Sequence, residues 1–151
     1  MKRAAALCAR SEQSPRDVMD KLLKWGLTGT DAQKVLQQLV EQGFVDIKRY
    51  ARAFVKDRYS LNGWGRIKIA HQLYVKGIAD DIIAQALEAI DEQQYCDRLL
   101  ESLRVKWRAV KGREPRAAWA AMMRFAVSRG YETDIAARCV KQITRLDDQQ
   151  D

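Results

Sequence analysis

Near the middle of the chain the sequence reads Leu73-Tyr74-Val75-Lys76-Gly77-Ile78, in which apolar residues stand on both sides of a glycine. The same order recurs at residues 22–27 and 126–131, whose glycines, Gly26 and Gly130, lie 51 residues before and 53 residues after Gly77. A period of about 50 residues indicates that one small structural unit occurs three times along the chain.

The positions around each glycine show the period of a helix. Four, seven and eight residues before each glycine, and nine, ten and thirteen after it, the side chains are apolar or small in all three copies. This spacing places them on one face of a helix. Each glycine is therefore predicted to end one helix with a left-handed backbone, and a second helix follows. The expected core consists of Leu22, Leu23, Val35, Leu36, Leu39, Phe54, Ile69, Leu73, Leu87, Ile90, Phe125 and Val140.

A further helix is predicted before each of these pairs, at about residues 2–11, 46–60 and 92–111. Ser14, followed by Pro15, and Asp46 are typical N-caps, and Thr30 with Gln33 has the spacing of a capping box. No segment alternates with period two, so we expect no strand. The predicted fold is all-α, with three tandem three-helix repeats in an elongated, curved array. The expected boundaries are 1–43, 44–91 and 92–146, followed by a disordered acidic tail at 147–151.

Charge is unevenly distributed along the 151 residues, whose net charge is +7. Residues 48–76 hold eight basic side chains and one acidic, and residues 95–130 hold nine and three. Between them, residues 77–94 hold five acidic side chains and no basic one. Two basic blocks favour a partner with acidic groups, such as nucleic acid or an acidic protein surface.

Sequence signatures of catalysis and of metal binding are absent. The single histidine, His71, has no nucleophile placed with it, and the three cysteines form no CxxC pair. No phosphate-binding glycine loop and no apolar run long enough for a membrane span is present. The basic N-terminus lacks the apolar core of a secretory signal. We therefore expect a cytoplasmic protein with reduced cysteines that is not an enzyme and needs no metal or cofactor.

Two segments carry a more specific pattern. Residues 43–58 read GFVDIKRYARAFVKDR, and residues 63–78 read GWGRIKIAHQLYVKGI. Their order, from a Gly-Phe entry through a Tyr-Ala helix and a glycine turn to a helix that ends in Lys-Gly-Ile, resembles the RecX family of bacterial recombination regulators. The stretches 22–26 and 124–131 also fit this family, and the resemblance extends over about residues 4–145.

The resemblance implies a non-enzymatic protein of three-helix repeats that binds RecA, the recombinase that coats single-stranded DNA. Family members lie in the groove of the RecA filament and suppress its ATP hydrolysis, strand exchange and co-protease activity. The expected partners are thus the RecA filament and DNA, both single-stranded and double-stranded. The expected state of this chain is a monomer without a membrane association.

Basic side chains of the middle and third repeats are the expected contacts with RecA or DNA. Helical spacing places Arg49, Arg52 and Lys56 on one face, and Arg104, Arg108 and Lys111 on another. Trp64, on the glycine turn, is a candidate for stacking on bases. The full set is Arg49, Arg52, Lys56, Arg58, Trp64, Arg66, Lys68, Lys76, Arg104, Arg108, Lys111, Arg113 and Arg116.

Three other interpretations of the same residues stay open. The charges can form an ordinary solvated exterior without a specific contact. Alternatively, the three-helix units can act as a general DNA-binding module like a helix-turn-helix, without specificity for RecA. Finally, the chain can be a structural adaptor that binds another protein through an exposed apolar face.

Overall fold

The computed structural model of the chain describes residues 1–150, with the side chains of Gln149 and Gln150 left out of the description. Those residues form nine helices and no strand, which confirms the predicted all-α fold. The helices are α1 (Lys2–Arg10), α2 (Pro15–Lys24), α3 (Gly29–Glu41), α4 (Ile47–Ser60), α5 (Arg66–Val75), α6 (Asp80–Leu87), α7 (Glu92–Val110), α8 (Pro115–Ser128) and α9 (Thr133–Gln150).

Two of the three predicted N-caps are confirmed. The Ser14 hydroxyl accepts a hydrogen bond from the Asp17 N–H at 3.1 Å, and the Asp46 carboxylate accepts one from the Arg49 N–H at 3.0 Å. The predicted capping box at Thr30 is wrong. Thr28 is the N-cap of α3 instead, because its extended backbone lets the hydroxyl accept from the Asp31 N–H at 3.2 Å.

The three repeat glycines end α2, α5 and α8 with φ of +98° at Gly26, +83° at Gly77 and +95° at Gly130. In each case the N–H of the following residue donates back to a carbonyl five positions earlier. The distance is 3.2 Å from Leu27 to Leu22 and 3.1 Å from Ile78 to Leu73. The left-handed helix end predicted at each glycine is confirmed, and the bonds form a Schellman arrangement that satisfies helix carbonyls that would otherwise lack a partner.

The described chain forms two compact units. Unit 1 comprises Met1–Lys56 and His71–Leu87, and unit 2 comprises Asp57–Ala70 and Glu88–Asp151. The segments of α4 and α5 are thus shared between the units, whereas the repeat boundaries at 43, 91 and 146 stay a prediction. The tail predicted to be disordered is helical over residues 147–150, since no glycine or proline ends α9 before Gln150. Asp151 lies outside the described residues.

Unit 1 has its core around Ala4, Val18, Leu22, Leu39 and Val45, all of which are buried. The prediction that Leu23 belongs to the core is wrong, because its side chain is 47% exposed. Leu23 follows the buried Leu22 by one position on α2, and one position turns a side chain by more than a quarter of a helical circle. Other expected core residues are half-buried, namely Val35, Leu36, Phe54, Leu87 and Phe125.

Unit 2 is organised where the start of α5 meets the end of α8. The Gly65 N–H donates to the Arg129 carbonyl at 2.7 Å, and the Ile67 N–H donates to the Gly130 carbonyl at 2.9 Å. A Cβ at Gly65 would lie 2.4 Å from the Gly130 carbonyl, and a Cβ at Gly130 would lie 2.3 Å from the Lys68 Cβ. Only glycine at both positions allows the two backbones to approach this closely.

Candidate nucleic-acid interface

Arg49, the first residue of the predicted basic face on α4, has several partners inside unit 1. Its Nε donates to the Glu12 carboxylate at 2.6 Å, and its Nη2 donates to the carbonyls of Gly43 and Phe44 at 3.0 and 3.3 Å. The guanidinium thereby connects the segment before α2 with the turn before α4. Its charge is matched by an internal carboxylate.

Arg52 and Lys56, on the same helix as Arg49, are not drawn into such an internal ion pair with any described side chain. Both side chains are exposed, and their spacing of four residues puts them one turn apart on the surface of α4. Of the three residues expected to share a face, these two are presented to solvent together, whereas Arg49 turns to Glu12.

Arg66 lies in a polar network of unit 2 that we call the Arg66 junction, defined by Arg66, Tyr95, Glu92, Glu132 and the Gly65–Gly130 contact. Arg66 pairs with Glu132 at 2.9 Å and with Glu92, and its guanidinium lies 4.0 Å from the centre of the Tyr95 ring. Burial alone would lower the pKa of Arg66, but its bonds to the two carboxylates raise it above the ordinary value.

Tyr95 is the buried centre of the Arg66 junction. Its hydroxyl donates to Glu132 at 2.5 Å and accepts from the Arg66 N–H at 2.8 Å. The ring packs on Tyr131, with ring centres 4.8 Å apart. Burial, followed by the bond to Glu132, raises the pKa of Tyr95 well above its usual range. Arg66 therefore has a structural position, with both its charge and its backbone N–H engaged.

Lys76, at the end of α5, also has an internal partner. Its ammonium group bonds Asp17 at 2.8 Å, and this contact raises the pKa of Lys76. Nearby, Arg16 donates to the Val75 carbonyl. The last turn of α5 is thus held to the start of α2 within unit 1 by two basic side chains.

Trp64 in unit 2 is half-buried, and two basic side chains lie close to its ring. The Lys68 ammonium lies 4.5 Å from the centre of the Trp64 ring, and the Arg58 guanidinium lies 5.3 Å away. These distances suit cation–π attraction. Trp64 therefore orders two of the predicted basic residues, and any base that stacks on it has to share the ring with them.

Among the predicted site residues, the largest group of exposed basic side chains lies at the end of α7. Arg104 and Arg108 lie on α7 and Lys111 is its C-cap residue. We call these three the α7 basic row, and they follow one another at intervals of four and three residues. They line a groove of about 350 Å³ together with Trp107, Ile143, Leu146 and Asp147. Among the side chains that the structure describes, no salt bridge of 4.0 Å or less engages the row. Arg113 and Arg116, beyond the end of α7, are also exposed.

A second basic row was missed by the sequence reasoning. Arg138, Lys141 and Arg145, which we call the α9 basic row, are exposed on α9 and line a cavity of about 410 Å³ with Gln142 and Leu146. Residues 131–151 carry a net negative charge, which hid the row. The spacing of three and four residues was the signal that would have revealed it.

Unit 1 holds another basic cavity that was not predicted. Arg3, Arg10 and Lys21 line a space of about 350 Å³ with Ala6, Leu7 and Trp25. The Arg3 guanidinium lies 4.1 Å from the centre of the Trp25 ring. No sequence pattern indicated this cluster, because its members come from two helices.

The described residues hold no group of three or more His, Cys, Asp or Glu side chains that could bind a metal ion. All three cysteines are unpaired, and burial raises the pKa of Cys139. His71 is exposed on α5. Within the described part of the chain, no helix combines the length and the apolar character that crossing a membrane requires.

Comparisons with known proteins place these features in a family. The family model described as "RecX, second three-helix domain" matches residues 48–87. A "Regulatory protein RecX" from Chromohalobacter salexigens is 33% identical over 129 residues, which cover 85% of this chain and 82% of the relative. The chain belongs to the RecX family. A second RecX relative, from Clostridium perfringens, is 26% identical over 137 residues, or 89% of this chain.

The RecX fold is also seen in a solved structure. The crystal structure of RecX from Lactobacillus salivarius superposes with a TM-score of 0.85 at 17% identity, and the match covers 95% of this chain and 93% of that one. The chain spans 64% of the length of the Clostridium perfringens RecX relative.

Proposed function

We propose that this chain binds RecA and its filament on single-stranded DNA, and that it inhibits or modulates ATP hydrolysis, strand exchange and SOS co-protease activity. It acts as a monomer in the cytoplasm, without a catalytic group, cofactor or metal. The observation that carries the proposal is the RecX relationship over 85% of the chain. RecX family members are regulators of this recombinase.

The exposed basic side chains support a contact through charged helical faces in the filament groove. The α7 basic row and the pair Arg52 and Lys56 present cations that no described carboxylate neutralises in an ion pair. Phosphates and acidic protein groups attract such cations, and several weak contacts along one filament add to a strong overall affinity.

The predicted residues divide into two groups under this proposal. Arg49, Arg66 and Lys76 have carboxylate partners inside the chain, so their contribution is to hold the helices in place. Arg52, Lys56 and the α7 basic row then make the contacts with RecA or DNA, together with Arg113 and Arg116. Arg58 and Lys68 contribute from beside Trp64.

A general DNA-binding helical module without RecA specificity is the second candidate. The exposed α7 basic row beside a groove favours it, because cations of this kind bind bare DNA through its phosphates in a sequence-independent way. In that case the protein would affect RecA only by competing for DNA.

The test is RecA-catalysed ATP hydrolysis on single-stranded DNA, titrated with this protein at two salt concentrations. The affinity of the protein for the same DNA without RecA is measured in parallel. Inhibition at concentrations well below those that saturate bare DNA is the expected result for a filament-directed regulator. Inhibition that begins only when the DNA is saturated would overturn the proposal and leave the general DNA-binding module.

A further inference from the structure

The α7 and α9 basic rows share one surface of unit 2. Helices α7 and α9 pack against each other, and Leu146 lines both the groove beside the α7 row and the cavity beside the α9 row. The two spaces, of about 350 and 410 Å³, are therefore neighbours with a common wall. One side carries three cations from α7, and the other carries three from α9.

The charge of this surface is nearly uncompensated. Among the described side chains, Asp147 is the one acidic group that lines either space, against six basic ones. None of the six forms a salt bridge within 4.0 Å among the described side chains. Since like charges so close together repel one another, a ligand with several negative charges would relieve the repulsion as well as bind.

The shape of the surface favours a chain of phosphates over a single anion. In each row the cations recur every three or four residues, which corresponds to steps of about 4.5–6 Å along the helix axis. Ile143 and Leu146 give the two spaces an apolar wall, next to which Gln142 and Asp147 supply one amide and one carboxylate. A nucleic-acid strand presents negative charges in a row next to apolar sugars and bases, and it fits both features.

We propose that the α7 and α9 basic rows together form a binding site for the phosphodiester backbone of single-stranded nucleic acid. The α9 row, Arg138, Lys141 and Arg145, supplies half of the cations. This inference rests on the DNA-contacting part of the proposed function and deepens it by naming the surface and its ligand. It does not depend on RecA, so the two can fail separately.

The experiment compares three full-length proteins by fluorescence anisotropy with a labelled oligothymidylate over a series of salt concentrations. They are the unchanged chain, the triple variant Arg138→Gln, Lys141→Gln and Arg145→Gln, and a control that loses the same charge in unit 1. The control carries Lys2→Gln, Lys24→Gln and Lys34→Gln, at positions that are exposed and outside every cavity described above. Thermal unfolding checks that all three proteins fold alike.

The α9 variant should bind about 100-fold more weakly at 0.1 M salt, and its plot of log affinity against log salt should be less steep by about 2, since each phosphate contact on a single strand contributes about 0.7. The control should keep the slope of the unchanged chain. An equal loss in both variants would overturn the inference, because net charge alone would then explain the binding.

A second outcome would also overturn the inference. If the α9 variant binds the oligonucleotide normally but loses inhibition of RecA, the surface contacts an acidic protein instead of nucleic acid. Conversely, if the α9 row proves to bind the strand but the unchanged chain does not inhibit RecA, the site stands and the proposed regulatory function fails.

Discussion

Two regions of unit 2 use basic side chains in opposite ways. At the Arg66 junction the Arg66 side chain is only 21% exposed, and two carboxylates and an aromatic ring surround its guanidinium. On the α7–α9 surface six cations are exposed and lie near a single acidic lining residue. The comparison shows that the function of a basic residue depends on which counter-charge the fold brings to it.

The energetic consequences differ accordingly. A change in the Arg66 junction leaves partly buried groups without hydrogen-bond partners, which costs folding free energy. A change on the α7–α9 surface removes solvated charges, which has little effect on folding but weakens attraction to a polyanion. The first region should therefore respond in stability and the second in binding.

The largest effect is expected for Gly130→Ala in the Arg66 junction. The added Cβ would overlap Lys68 and would also force alanine into a left-handed backbone, so the free energy of unfolding should fall by about 3–5 kcal/mol. Gly26→Ala is the matched control, because its φ of +98° is nearly the same but no atom lies within 4 Å of the added Cβ. Chemical denaturation measures both, and equal losses would contradict the close packing at Gly130.

The next effect concerns the α7 basic row. Replacing Arg104, Arg108 and Lys111 with Gln should change the free energy of unfolding by no more than about 0.5 kcal/mol, because the side chains are exposed. The same change should weaken binding to single-stranded DNA by about 100-fold at 0.1 M salt. Anisotropy titrations test the predicted loss of DNA affinity, and denaturant unfolding tests the predicted stability. A stability loss as large as that of Gly130→Ala would remove the distinction between the regions.

Arg66→Gln should have the reverse effect, namely a moderate loss of stability with unchanged DNA binding. The substitution removes the guanidinium that bonds Glu92 and Glu132 and that lies over the Tyr95 ring, so the protein should lose about 2 kcal/mol of stability. Its DNA affinity and salt slope should stay those of the unchanged chain at a temperature where both proteins are folded. A slope reduced by about 0.7 would show instead that Arg66 contacts a phosphate.

The smallest effect at neutral pH is expected for Tyr131→Phe, but this variant has a distinct alkaline signature. Burial raises the pKa of Tyr131 to about 12, above the ordinary value of 10.0. The unfolded chain then releases its proton at lower pH than the folded chain, so stability is complete below pH 10 and falls as pH rises from 10 towards 12. Denaturation at a series of alkaline pH values should show a shallower fall for the variant. An identical fall would contradict the burial effect.

The sequence was informative where structure is local. The glycine repeat predicted three left-handed helix ends, and the helices predicted at 2–11, 46–60 and 92–111 end within one residue of α1, α4 and α7. Such features depend on residues a few positions apart. The exceptions, Leu23 and Thr30, are errors of one or two positions in the helical register or start, where the pattern is least constrained.

The candidate site was predicted less completely because ion pairing is a tertiary property. Glu12 is 37 residues from Arg49, and Glu132 is 66 residues from Arg66. No local pattern reveals such partners, so the sequence ranked paired and exposed cations alike. The α9 basic row was hidden for a related reason, since the net charge of a segment averages over all faces of a helix.

The measurement that tests this account most directly is RecA-catalysed ATP hydrolysis on single-stranded DNA, titrated with Arg66→Gln and with the triple variant of the α7 basic row. Both proteins are assayed at a temperature where each is folded. We expect Arg66→Gln to inhibit at the concentration of the unchanged chain, and the α7 variant to need at least about ten times more. Loss of inhibition by Arg66→Gln, with the α7 variant unaffected, would contradict the account.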